Sequence, residues 1–228
     1  MFGPLYDQKH RFYSVSSVAS KPNRMFQKGL RERLLCDKCE QRLSHHERYA
    51  SEVFLGNAAT RPARTPTGFV FSNLEYKPLK LFLMSLLWRL CVTSIPQYKG
   101  AVLGPHLERL RLLILADDPG DYLTFPAVVT GLTFDRLHIP GLIIPSPFRT
   151  RIEGRWVWGF VVTGFLFCFF VSNRQPSSSF WAGFLQSSGH FPLHVTDIRK
   201  VPFLQHWGAE IAAAETARAR SSAANAAG

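Results

Sequence analysis

Two of the four cysteines, Cys36 and Cys39, stand two residues apart in Leu35-Cys36-Asp37-Lys38-Cys39. That spacing lets both sulfurs face one point across a tight turn, which suits either a tetrahedral metal or a reversible dithiol. A closed structural zinc site takes four ligands, so two thiolates supply half of one. Cys91 and Cys168 lie inside apolar stretches and read as core residues. His45 and His46 follow Cys39 by six and seven residues and His10 lies upstream, but none makes a standard second pair. As neighbours on a surface helix, His45 and His46 read as solvated. Cys36 and Cys39 are therefore the metal-ligand candidates, with zinc as the ion. The same pair before a helix is the basis of an alternative reading as a thiol redox protein.

The flanks of this pair are basic. Lys and Arg outnumber Asp and Glu by 11 over the 228 residues, and residues 1–66 hold 12 cations against 6 carboxylates. Arg24, Lys28, Arg31, Arg33, Lys38 and Arg42 surround the cysteines, with Tyr13, Phe26 and Tyr49 among them. Cations interleaved with aromatics suit a surface that follows phosphates, so DNA or RNA is the expected partner. No Walker A loop, GxGxxG, GxSxG or HExxH occurs in the sequence, which removes the common nucleotide, hydrolase and metalloprotease signatures.

The elements that must position these residues follow from hydropathy and punctuation. Hydrophobic residues make up 46% and charged residues 19%, the composition of a chain that buries a core. A short strand at Glu32–Leu35 leads into Cys36, and Glu40–Leu55 has helical spacing that ends at Gly56-Asn57. Residues 57–67 form a polar loop, and Gly68–Tyr76 alternates as a strand. Leu79–Thr93 is apolar nearly all round and predicts a central buried helix. A second amphipathic helix starts at Gly104-Pro105. From Asp121 onward, Tyr122–Thr130, Leu137–Ile144, Arg155–Val162, Phe165–Ser172 and Phe191–Thr196 read as strands of an antiparallel sheet. After Trp207 the chain is Ala-rich and reads as a frayed tail.

One run tests for a membrane span. Residues 156–173 are 18 uncharged residues, long enough to cross a bilayer. Thr163-Gly164 falls midway, and the halves are rich in Val, Phe and Trp, so the run predicts a buried hairpin rather than a span. A membrane-associated protein is a further alternative on this run alone. With no basic and apolar leader at the N-terminus, the cytoplasm is the default compartment.

The stretch GLRERLLCDKCEQRLSHHERYASEVF resembles the second knuckle and helix of a treble clef of the HNH endonuclease type, in which Leu-Cys-x-x-Cys opens a helix. More broadly, the chain resembles uncharacterised bacterial proteins that carry such a knuckle, then segments like KLFLMSLLWRLCVTS and LGPHLERLRLLIL, then a β-rich half. The resemblance implies an α+β fold with an N-terminal partial treble-clef element at 1–57, an α+β domain with central buried helices and a C-terminal antiparallel sheet at 58–205, and a flexible tail at 206–228. In such proteins a first CxxC and a catalytic His precede the region equivalent to Leu5-Tyr6-Asp7, and the residue after the second knuckle is usually His where this chain has Glu40. The resemblance therefore implies a chain shortened at its N-terminus. It implies a nucleic-acid-associated protein with no assigned catalytic residue, its nuclease activity lost or incomplete.

Overall fold

A computed structural model describes residues 11–15, 18–26, 32–56, 61–98, 100–175 and 177–226. The fold is α+β. In chain order the elements are β1 (Phe12–Ser14), β2 (Arg24–Phe26), α1 (Asp37–Phe54), β3 (Ala63–Thr65), β4 (Gly68–Phe71), α2 (Tyr76–Val92), α3 (His106–Leu115), β5 (Ala127–Phe134), β6 (Leu137–His138), β7 (Ile144–Ile152), β8 (Arg155–Val162), β9 (Phe165–Val171), α4 (Ser178–Trp181), β10 (Phe191–Asp197) and α5 (Pro202–Ala226). β1 and β2 form a separate antiparallel ribbon, and the other strands build one sheet in the order β3-β4-β10-β5-β9-β8-β7, with β6 paired to β5. Every pairing in that sheet is antiparallel except β5 with β10.

The apolar run after Arg155 is the β8–β9 hairpin, with Trp156 opposite Val171 and Val162 opposite Phe165. Its two-residue turn places both Thr163 (φ 50°) and Gly164 (φ 74°) in the left-handed region, the geometry that continues the strand twist. The run is apolar on both alternations because both faces of the hairpin are covered. Trp158, Phe160, Val162, Phe165, Phe167 and Phe169 join a core that includes residues of α1, α2 and α3. On the other face, Val161 and Leu166 pack with Leu204 of α5, while Val157 and Phe170 pack with Phe184. Gly159 is fixed by the close approach of a neighbour, since a Cβ there would lie 2.2 Å from the Phe148 ring.

α2 is the central helix the composition predicts. Leu79, Leu81, Phe82, Leu83, Met84 and Leu87 are each no more than 2% exposed, so no side of its middle faces water. Pro78 sits in the first turn, where its missing N–H costs nothing. α1 is one-sided, burying Leu43, His46, Ala50, Val53 and Phe54.

Other segments depart from the sequence reading. Glu32–Leu35 is not a strand. It is anchored by a side chain: the Glu32 carboxylate accepts from Thr93 Oγ1 at 2.7 Å and from the Ser94 backbone N–H at 3.0 Å, just past the end of α2. Residues 63–65, read as loop, form an edge strand against β4. Leu137–Ile144 is divided, because Pro140-Gly141 turns the chain between β6 and β7. β5 begins only at Ala127, after Phe125 (φ 46°) and Pro126. The Ala-rich segment read as frayed is helical to Ala226, with Leu204 and Ala214 buried. No helix among the described residues is long and apolar enough to cross a membrane.

Candidate functional site

α1 opens at the cysteine pair. Cys36 is its N-cap, in extended conformation, and Cys39 is its third residue, so the helix starts three residues before the sequence expectation of Glu40. Cys36 is exposed and Cys39 half-buried, and both are free thiols. The Cys39 backbone N–H, and then the Cys39 thiol, donate to the Cys36 sulfur and lower its pKa. The same contact, with burial, raises that of Cys39. One thiol of the pair is thus prepared to ionise and the other to keep its proton. Among the described residues no third sulfur, imidazole or carboxylate joins them to form a metal-binding group. The donor set these residues supply does not complete a tetrahedral zinc site, and His10 lies outside the described residues. Cys91 and Cys168 are core-lining, and burial pushes each thiol up to about 12.

The basic candidates have different surroundings. Arg24 on β2 and Lys38 on α1 are exposed, with no ion pair among the described residues. Arg33 is exposed and pairs with Asp37 at 2.7 Å, one turn on. Arg42 is turned inward, donating from Nη1 to the Leu115 carbonyl at 2.9 Å. Leu115 ends α3, so Arg42 places a cation on the unpaired carbonyls at a helix C-terminus. Lys28 and Arg31 lie outside the described residues.

Two turns after Cys39, α1 brings His46 onto the same contact with α3. The sequence reading of a solvated His pair holds for His45, which is exposed, and fails for His46, which is 5% exposed. His46 Nε2 lies 3.1 Å from Asp117 Oδ1, and Lys77 Nζ lies 2.5 Å from Asp117 Oδ2. Burial lowers the His46 pKa, against the pull of Asp117. The imidazole is therefore neutral at pH 7, and the contact is an Nε2–H donated to a carboxylate. That tautomer leaves the lone pair on Nδ1, which is buried and has no hydrogen-bond partner. Burial alone would raise the Asp117 carboxyl, but Lys77 and His46 together hold it below its usual value. Asp117 is in the left-handed region, φ 55°, immediately beyond α3.

These groups line a cleft of about 400 Å³ together with His45, Glu75, Tyr76 and Pro78. Tyr49 Oη accepts the Glu75 backbone N–H at 2.6 Å, and Tyr76 Oη donates to the Gly120 carbonyl at 3.0 Å, so the walls are braced across three segments. A carboxylate-oriented imidazole needs a reachable lone pair to act as a general base; here Nδ1 is buried, and the adjacent Lys77 ammonium is held by Asp117. Sequence reasoning missed this cluster because 71 residues separate His46 from Asp117. A larger cleft of about 570 Å³ lies at the C-terminal ends of the paired strands β5 and β10. In it Arg199 bonds both Asp197 and Asp135 and holds the Asp197 carboxyl at about 2, and Arg136 and Lys200 also line it.

Arg89 of α2 pairs with Glu47 of α1 at 2.5 Å, both half-buried. His106 begins α3 and packs edge-on against Phe125. No protein-family model, curated protein or solved structure matches this chain.

Proposed function

We propose that the chain is a nucleic-acid-associated protein whose CxxC-opened helix is a degenerate HNH-like knuckle, with strand cleavage lost or incomplete. The observation that carries this reading is the surplus of exposed cations. Arg24, Lys38, Arg48, Arg64, Arg149 and Arg151 are all exposed, and none has an ion pair among the described residues. Eight of the 16 carboxylates, Asp37, Glu47, Glu108, Asp117, Asp135, Glu153, Asp197 and Glu215, each hold a cation. A surface with an excess of free guanidiniums attracts a polyanion and releases counterions on binding. The start of α1 at Cys36 agrees with the knuckle layout. The test is fluorescence anisotropy with labelled DNA and RNA across a salt series. Binding that weakens steeply with salt supports the reading, and absence of binding at about 50 mM salt ends it.

The opposed thiol pKa directions of Cys36 and Cys39 favour a second reading, a dithiol that exchanges with a disulfide partner. Thiol titration decides it: one thiol ionising below the ordinary value of about 8.5 is required, and two ordinary thiols remove it.

A further inference from the structure

β7 is the last strand of the sheet, and its outer edge is not built to receive another strand. Pro145 and Pro147 withdraw backbone N–H groups, and the register against β8 shifts between Ile144 and Phe148, both of which block edge-to-edge pairing. What the edge does present is charge on an aromatic ring. Arg149 stands opposite Trp158, and Arg151 opposite Trp156. The guanidinium carbons of Arg149 and Arg151 lie 4.0 and 4.2 Å from the Trp156 ring centroid, and that of Arg149 lies 5.5 Å from the Trp158 centroid. These are cation–π distances. Trp158 is core, but Trp156 is 36% exposed, and both arginines are exposed. Neither arginine meets a carboxylate among the described residues, whereas Arg155, at the base of the same hairpin, is held by Glu153 at 3.1 Å.

The geometry points to this Arg149–Trp156–Arg151 face as a binding site for single-stranded nucleic acid. Stacking on tryptophan flattens and immobilises each guanidinium while its N–H groups stay free for phosphate oxygens. The outer face of a guanidinium seated on Trp156 accepts an unpaired base, which a duplex keeps inside its own stack. The inference rests on the nucleic-acid reading above and adds to it the surface and the strandedness.

The experiment uses the full chain and labelled oligonucleotides of about 15 nucleotides, within the span that one small binding face covers, as a single strand and as the matching duplex. Tighter binding of the single strand is expected. The variant Arg149→Gln/Arg151→Gln should lose about tenfold in single-strand affinity and flatten its dependence on log salt by about 1.4, two phosphate contacts at about 0.7 each. Trp156→Leu should weaken binding about fivefold or more while leaving that slope in place, because stacking releases no counterions. Arg149→Gln alone, with a melting curve for each protein, separates loss of binding from loss of fold. Unchanged affinity and slope in the double variant overturn the inference while leaving the nucleic-acid reading intact if the wild type binds. Variants that self-associate without losing affinity also overturn it, since the arginines then only guard the edge. A wild type that binds neither form at about 50 mM salt removes both readings.

Discussion

α1 and α2 pack on each other and on the same face of the sheet, yet they use their residues in opposite ways. α1 buries one stripe and holds its chemistry along or beside that stripe: the cysteine pair at its start, then Arg42, then His46. α2 is buried all round through its middle and carries its one central charge, Lys80, into the apolar core at 2% exposure. Among the described residues Lys80 Nζ reaches only the Phe125 carbonyl, at 3.4 Å, and burial lowers its pKa to about 7. A half-buried helix can tune titratable groups because each keeps a polar partner or an edge of water. A fully buried helix can only suppress them.

The contrast is largest in packing. Leu83→Ala in α2 should cost about 2–5 kcal/mol, since the surrounding side chains cannot collapse into the void. Gln41→Ala on the outer face of α1 should change stability by less than about 0.5 kcal/mol. Urea unfolding measures both, and similar costs would erase the distinction between the helices.

The next effect is electrostatic. The folded pKa of Lys80, about 7, lies below the unfolded value of about 10.4. Between these values the unfolded chain binds the extra proton, so stability rises with pH from about 7 to about 10 and levels off below. The slope contributed by this one group reaches at most about 1.4 kcal/mol per pH unit. Lys80→Met should raise the melting temperature at pH 7 and remove that rise. A variant whose pH profile matches the wild type would mean that Lys80 keeps its charge in the core.

The smallest effect sharpens the comparison on the α1 side. His46 should titrate below the ordinary histidine value of about 6.5, read from its imidazole resonances by NMR. Asp117→Asn keeps a residue tolerant of the left-handed backbone and should lower the His46 pKa further, by removing the carboxylate that favours the imidazolium. Because the folded pKa is depressed, the contribution runs one way: the unfolded state takes up the proton first, and stability falls as pH drops below about 6.5. A His46 pKa above 6.5 would make the contact a charged pair and reverse that dependence.

The amino-acid sequence by itself determined the α+β class, the all-round apolar α2, the α3 start after Gly104-Pro105, the β8–β9 hairpin about Thr163-Gly164 and a helix beside the cysteine pair, though not its start at Asp37. Each is written in short-range terms, as periodicity, a turn dipeptide or a capping position, so the residues that decide it lie within a few positions of one another. The tertiary structure alone decided that His46 is buried on Asp117 while His45 stays in water, that Arg42 spends its charge on the Leu115 carbonyl 73 residues away, that Ala63–Thr65 becomes a sheet edge, and that Trp156 holds two guanidiniums. These depend on which segments the packed core brings together. Contacts across such separations leave no period in the chain, and a histidine, an arginine or a tryptophan looks the same in sequence whether it ends in water, on a carbonyl or under a cation.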